Sequence, residues 1–225
     1  MAQTLSLSIS ELFYSIQGES TYAGLPCIFI RLAGCNLRCR YCDARYTYEE
    51  AHAEMALDTI LSFVDSYPTA LVEITGGEPL IQENVYPLMA HLVARGRTVL
   101  LETNGSLPID KVMPEIIVIM DIKTPGSGTG ESFADENIVH AKRRNSSIQG
   151  SCEFKFVLTD KDDYKWARDV VNRHTLNKSG PTLFSPVQTQ ISPLDLATWI
   201  LQDQLVVRLQ LQLHTLIWPQ LSRGV

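Results

Sequence analysis

Nowhere in these 225 residues is there an apolar stretch long enough to span a bilayer, so no membrane partner is expected. There is also no long basic run. With 19 basic residues against 25 acidic ones the net charge is −6, which argues against a nucleic-acid surface as the chain's main business. The N-terminal string Met1-Ala2-Gln3-Thr4-Leu5-Ser6 has no charged leader followed by an apolar core. Cysteine is scarce and odd in number, five in all, with three crowded together, which excludes a disulfide framework and fits a reducing, cytoplasmic location. No internal repeat is visible. What is left is an ordinary globular composition, 45% hydrophobic and 20% charged, in a chain able to bury a substantial core and most simply read as one domain over residues 1–225.

The pattern along the chain alternates β-rich runs with helical ones. Strands are predicted over residues 27–32, 70–74, 98–101, 116–120, 154–158, 181–184 and 205–213. Helices are predicted over 54–66, 85–95, near 162–173, and over 192–201, where Ser-Pro makes a good start. Residues 46–53 read as irregular and the Gly/Ser-rich 126–130 as a mobile loop. Strands alternating with helices imply βαβ units and a parallel sheet, an α/β fold. About six such units suit a partial barrel better than a closed eight-fold one. Polar and Gly-rich residues recur at the strands' C-terminal ends, where such sheets place their ligands.

The crowded cysteines are Cys35, Cys39 and Cys42, spaced Cys-x3-Cys-x2-Cys in the loop after the first predicted strand. A structural zinc site wants four protein ligands, whereas three thiolates on a [4Fe–4S] cluster leave one iron free for a small molecule. A zinc site completed by Cys27 or a distant His, or a set of redox thiols, has the same spacing. Cys27 and Cys152 lie in β-like apolar runs and read as small buried hydrophobes. The three-cysteine spacing resembles that of the radical S-adenosylmethionine (SAM) superfamily. There the free iron chelates the amino and carboxylate groups of SAM, and an electron from the cluster yields a 5′-deoxyadenosyl radical. One βα unit later comes Thr75-Gly76-Gly77-Glu78-Pro79, where two glycines allow close backbone approach to a ligand. Alone this is an ordinary turn; in this order it is similar to the superfamily pattern that binds the methionyl amino group. The resemblance further implies SAM contacts from Tyr41 and Asp43, from Gly76, Gly77 and Glu78, and from the later strand ends Asn104, Asp121, Ile122, Lys123, Ser185, Pro186, Val187 and Gln188. Taken singly, most of these are solvated loop residues or packing residues.

A third string narrows the resemblance. Ser15-Ile16-Gln17-Gly18-Glu19, then Phe29-Ile30-Arg31-Leu32 leading into Gly34-Cys35-Asn36, with Glu102-Thr103-Asn104-Gly105 and Gln210-Leu211-Gln212-Leu213-His214, is similar to the 7-carboxy-7-deazaguanine synthases of queuosine and deazapurine biosynthesis. The resemblance runs from about residue 9 to the C-terminus. It implies conversion of 6-carboxy-5,6,7,8-tetrahydropterin to 7-carboxy-7-deazaguanine with loss of ammonia, the radical taking hydrogen from C6 and SAM being regenerated. It also implies a homodimer and a flavodoxin or ferredoxin as electron donor. Ile16, Gln17, Gly18 and Glu19 match the residues that read the pterin edge, whose donor–acceptor array suits an amide and a carboxylate. Arg31 matches the arginine that holds the substrate carboxylate, Thr75 a further contact, and His214 a plausible one. As residues alone these read as a polar turn, a surface salt bridge and a packed histidine.

Two departures from the family pattern stand out. Magnesium-dependent members carry a Thr after Cys-Asp, whereas here the string is Cys42-Asp43-Ala44, so Mg2+ is either absent or held by substrate, water and nearby Thr47. Thr215 follows His214 where relatives often have Lys. The rival readings are a glycyl-radical-activating enzyme acting on a protein partner and a non-enzymatic zinc-binding module.

Overall fold

The computed structural model describes residues 5–147 and 151–225, so the first four residues of the N-terminal string lie outside it. The strands are β1 (Ser6–Ile16), β2 (Pro26–Leu32), β3 (Ala53–Ala56), β4 (Leu71–Gly76), β5 (Thr98–Thr103), β6 (Ile117–Asp121), β7 (Ser151–Leu158), β8 (Thr182–Pro186) and β9 (Arg208–Leu209). The helices are α1 (Tyr46–Glu49), α2 (Leu57–Asp65), α3 (Val85–Ala94), α4 (Asp135–Asn145), α5 (Lys161–His174), α6 (Leu176–Ser179), α7 (Pro193–Gln202) and α8 (Leu213–Ile217). Among the described residues the strands form one sheet in the order β3-β1-β2-β4-β5-β6-β7-β8-β9. From β2 to β9 every pairing is parallel, while β1 and β3 run antiparallel at one edge. β3 and β9 do not meet, so the α/β sheet is an open, partial barrel, as expected.

The alternation within each strand decides which core a side chain enters. On one face, Ile28 and Ile30, Val72 and Ile74, Val99 and Leu101, Val118 and Met120, and Phe154 and Phe156 join the helices in the main core. On the other, Cys27, Phe29, Leu71, Leu100 and Ile119 form a smaller cluster with Phe13, whose ring stacks on Phe29 at 4.7 Å. That second cluster fills the inner side toward the strands' N-terminal ends. Toward the C-terminal ends the inward positions turn polar: Arg31, Glu73, Thr75, Glu102, Asp121 and Lys155.

Helix ends follow local chemistry. Asp160 caps α5 by accepting from the backbone N–H groups of Asp162 and Asp163, and Ser192 caps α7 ahead of Pro193. Four expectations are corrected. The helix read over 54–66 begins at Leu57, because the preceding residues pair with β1, Met55 opposite Leu7. The strand read over 205–213 pairs only at Arg208–Leu209 and then turns into α8. There, Gln210 donates its side-chain amide to the Ser20 carbonyl at 3.0 Å, drawing the chain across the barrel mouth. Residues 46–53 are not irregular throughout: they contain α1, with Thr47 fully buried. Residues 126–130 are a packed turn, with Gly126 N–H donating to Asp163 Oδ1 at 2.8 Å and Ser127 fully buried. β1 and the charged helix α4 were not foreseen; α4 offers little apolar periodicity, burying only Asn137, Ile138 and Ala141.

Candidate functional site

A cavity of about 630 Å³ opens at the C-terminal ends of the parallel strands. The cysteine loop forms its rim. Gly34 there has φ +85°, its N–H donates to the Thr47 carbonyl, and its own carbonyl accepts from Glu78 N–H at 2.9 Å. A Cβ on Gly77 would overlap the Gly34 carbonyl and lie 2.6 Å from Cys35 Cβ, so this approach requires glycine. The Gly76-Gly77 turn is thereby pressed against the cysteine loop.

Cys35, Cys39 and Cys42 all line the cavity, partly exposed and free, and close enough that their charges act on one another. Burial, foremost, and then the neighbouring negative charges push the Cys35 thiol up. Cys27 and Cys152 are fully buried elsewhere, and burial pushes the Cys152 thiol up to about 12. Tyr41, Asp43, Gly76, Gly77, Asn104, Asp121, Lys123, Val187 and Gln188 also line the cavity. Asn104 donates to Asn36 Oδ1 in the cysteine loop at 3.0 Å, and Lys123 pairs with Asp121 at 2.8 Å. Burial would pull the Lys123 ammonium down, but Asp121 and Tyr41 outweigh it and hold it above its ordinary range.

Four residues expected near SAM do not reach the wall. Glu78 is fully buried and accepts from Asn104 N–H at 2.7 Å, Thr103 Oγ1 at 2.9 Å and Leu80 N–H at 3.0 Å, tying the ends of β4 and β5 together. Ile122 belongs to the main core, while Ser185 and Pro186 are buried in β8. Thr47 does not line the cavity either. Its side chain is fully buried behind the wall, with the hydroxyl donating to the Ala44 carbonyl at 2.7 Å, so the group proposed as a magnesium ligand does not face the cavity.

The remaining wall gathers Ile16, Gln17, Gly18, Glu19, Arg31, Thr75 and His214. The Gln17 amide donates to Glu73, its carbonyl accepts from Glu19 N–H at 3.0 Å, and Gln212 donates to Glu19 Oε1 at 3.0 Å. A Cβ on Gly18 would stand 2.8 Å from His214 Nδ1, so α8 closes onto the Gln17-Gly18-Glu19 turn. Arg31 donates through Nε to Glu11 at 2.8 Å, and Tyr46 donates to the same Glu11 oxygen at 2.7 Å. Arg31 is therefore an ion-paired residue, and it lines the cavity as well. Thr75 donates to Glu102 at 3.0 Å.

Sequence reasoning missed Glu11, Tyr46, Glu73 and Lys155. The signal for Glu73 and Lys155 was available: Glu73 is the one charge in β4, and Lys155 stands between two phenylalanines in β7, both at inward positions. Burial, first, and nearby Glu102 push the Glu73 carboxyl well above its ordinary range. Burial acts the same way on Glu102, but Lys155, with Lys123 and the Thr75 hydroxyl, outweighs it and carries that carboxyl down to about 2.

Residues 29–120 match the radical SAM superfamily. The chain is 44% identical to a 7-carboxy-7-deazaguanine synthase of Chlorobaculum tepidum over the full length of both, and 43% identical to one of Koribacter versatilis, covering 97% of this chain and all of that one. Its fold is similar to the crystal structure of QueE from Escherichia coli, with a TM-score of 0.74 at 24% identity, covering 92% of this chain and 94% of that one. A radical SAM enzyme carries a [4Fe–4S] cluster and SAM. The residues fit both, with three free thiols together on the rim and a side-chain-free Gly-Gly backbone pressed beside them. On full-length identity above 40% and this cavity, the chain belongs to the 7-carboxy-7-deazaguanine synthase family of radical SAM enzymes.

Proposed function

We propose that the chain converts 6-carboxy-5,6,7,8-tetrahydropterin to 7-carboxy-7-deazaguanine with loss of ammonia. The observation that carries this reading is that one cavity holds the three cysteines together with Gln17, Glu19 and Arg31. Cys35, Cys39 and Cys42 hold the cluster, and the cluster with SAM supplies one-electron radical chemistry. The Gly76-Gly77 backbone, Tyr41, Asn104, the Asp121–Lys123 pair, Val187 and Gln188 hold SAM. Asp43, beside the last cysteine, lies on the same wall. Arg31 commits its Nε to Glu11, which orients the guanidinium and leaves its outer nitrogens for the substrate carboxylate. Glu19 and the Gln17 turn read the pterin edge, and His214, placed on Gly18 by α8, closes that end and limits water entry.

The test is calorimetric binding of the carboxypterin to the SAM-loaded protein. Arg31→Ala is expected to lose about 2–5 kcal/mol of substrate affinity while SAM affinity survives. An Arg31→Ala protein with normal substrate affinity sinks this pocket assignment.

Magnesium dependence is expected to be weaker than in relatives with the Thr. Ala44 lines the cavity but has no side-chain ligand atom, and Thr47 is buried off the cavity wall. Turnover after chelation and Mg2+ add-back, for the natural chain and Ala44→Thr, checks it. Full dependence in the natural chain with no change in Ala44→Thr overturns it. A flavodoxin or ferredoxin supplies the electron, and the five free cysteines suit a reducing cytoplasm. The chain pairs as a homodimer, a reading supported by exposed Leu194, Leu201 and Val206 on and after α7; sedimentation as a monomer at micromolar concentration would count against it.

A further inference from the structure

One cation on the cavity wall has no part in any sequence motif and none in the reaction as described so far. Lys155 lies in the middle of β7, between Phe154 and Phe156, which both enter the main core; its own side chain faces inward and is 3% exposed. The Nζ atom stands 2.5 Å from Glu19 Oε2, 2.7 Å from Glu102 Oε1 and 3.6 Å from Asp121 Oδ2. These carboxylates come from the turn after β1, the inner face of β5 and the end of β6. Glu19 belongs to the turn that reads the pterin edge. Asp121 pairs with Lys123 on the side assigned to SAM. Burying an ammonium group is costly unless carboxylates surround it, and a packing role at this position would be met by an apolar side chain.

We infer that Lys155 is a positioning residue of the proposed pterin reaction: its ammonium group clamps Glu19 and Glu102 as paired acceptors on one wall and joins them to the Asp121–Lys123 pair on the other. The inference rests on the substrate reading above and assigns a residue that reading does not use. A reduced pterin presents N–H donors along its edge, so the wall that reads it needs carboxylates that stay ionised and fixed. Glu19, Glu102 and Asp121 all face the Lys155 ammonium, Glu73 stands beside them on β4, and Lys123 lies beyond Asp121. Without Lys155, Glu102 loses its main counter-charge in a buried place beside Glu73, and nothing of equal strength holds its carboxylate ionised.

The experiment is calorimetric titration of the SAM-loaded holoenzyme with 6-carboxy-5,6,7,8-tetrahydropterin between about pH 6 and pH 9, for the natural chain, Lys155→Met and Lys155→Arg. The natural chain is expected to bind with little pH dependence. Lys155→Met is expected to bind about 10- to 100-fold more weakly at neutral pH and to recover affinity as pH rises and Glu102 loses its proton. Lys155→Arg, which keeps the charge, is expected to restore most of the affinity and the flat profile, while SAM affinity changes little in either variant. If Lys155→Met does not fold, K155M/E102Q removes the surplus carboxylate together with the cation, and it is still expected to bind weakly because Glu19 has lost its clamp. Natural affinity with an unchanged pH profile in Lys155→Met or in the double variant overturns the inference. So does equal loss of SAM and pterin binding that Arg does not rescue, which marks a structural role only. A natural chain that binds no carboxypterin overturns the substrate reading itself and this inference with it, an outcome visible before any variant is measured.

Discussion

Five thiols divide by environment. Cys35, Cys39 and Cys42 stand half-exposed on the cavity rim, whereas Cys27 and Cys152 are sealed in the two faces of the sheet. Cys27→Ala removes one sulfur atom from the inner cluster and is expected to cost about 1 kcal/mol while leaving cluster iron intact. Cys39→Ala should lose the iron, because its free thiol lines the cavity with the other two and is held there by the Thr129 hydroxyl at 3.4 Å. Iron analysis and the visible spectrum after anaerobic reconstitution check both. A Cys27→Ala protein that is folded but iron-free would mean that the ligand set is not these three.

The turn between β6 and α4 shows how one element is held by another. Asp163, in the first turn of α5, accepts from Gly126 N–H at 2.8 Å, the Thr124 hydroxyl at 2.8 Å and the Thr159 hydroxyl at 2.7 Å. The turn in turn accepts Arg40 N–H on the Ser127 carbonyl at 2.9 Å and brings Thr129 to Cys39. A Cβ on Gly126 would overlap Thr159 Oγ1 and Asp163 Oδ2, so Gly126→Ala must push the turn off α5. It is expected to cost about 1–3 kcal/mol in urea denaturation and to weaken cluster retention. Gly224→Ala, whose Cβ would meet nothing within 4 Å, serves as the control for the overlap, although its φ of +70° adds some local strain. A Gly126→Ala chain as stable as the natural one would show that the turn yields freely. The α5 cap and this anchoring come from the same short string, Thr159-Asp160-Lys161-Asp162-Asp163, which the sequence identifies as a helix start but not as a support for the site.

Across the molecule, the inward charges make stability depend on pH in two opposed ways. Glu102 in the folded chain sits at about 2, below its unfolded value of 4.5, so it contributes stability above 4.5 that is lost as pH falls toward 2. Glu73 is raised above 4.5 in the folded chain, so its contribution has the opposite sign and stability declines as pH rises above 4.5. Glu102→Gln is expected to lose about 1–3 kcal/mol at neutral pH, a deficit that shrinks in acid. Glu73→Gln, which resembles the protonated acid, is expected to match or exceed the natural chain at neutral pH. Urea denaturation over a pH series checks the pair, and identical curves for the two variants would refute the assignment of opposite signs.

From the sequence alone came the three loop cysteines as the expected cluster ligands, most of the alternation of strands and helices, and the expectation of a partial barrel. Those features are local: a cysteine spacing, a Gly-Gly turn and hydrophobic alternation all survive being read one segment at a time. Gln17, Glu19, Arg31 and His214 were also legible through family resemblance, and the fold brings them to one cavity from the turn after β1, from β2 and from α8. Tertiary structure alone decided that Glu78 braces β4 against β5 behind the wall instead of lining it, because its neighbour Asn104 lies 26 residues away. It alone decided that Thr47 is tied to Ala44, and that residues after Arg208–Leu209 leave the sheet to place His214 over Gly18. The same holds for Lys155. A charge inside an apolar strand is visible in the sequence, but its three carboxylates are supplied by segments 34 to 136 residues distant, which only the curved sheet and the turn after β1 bring within reach.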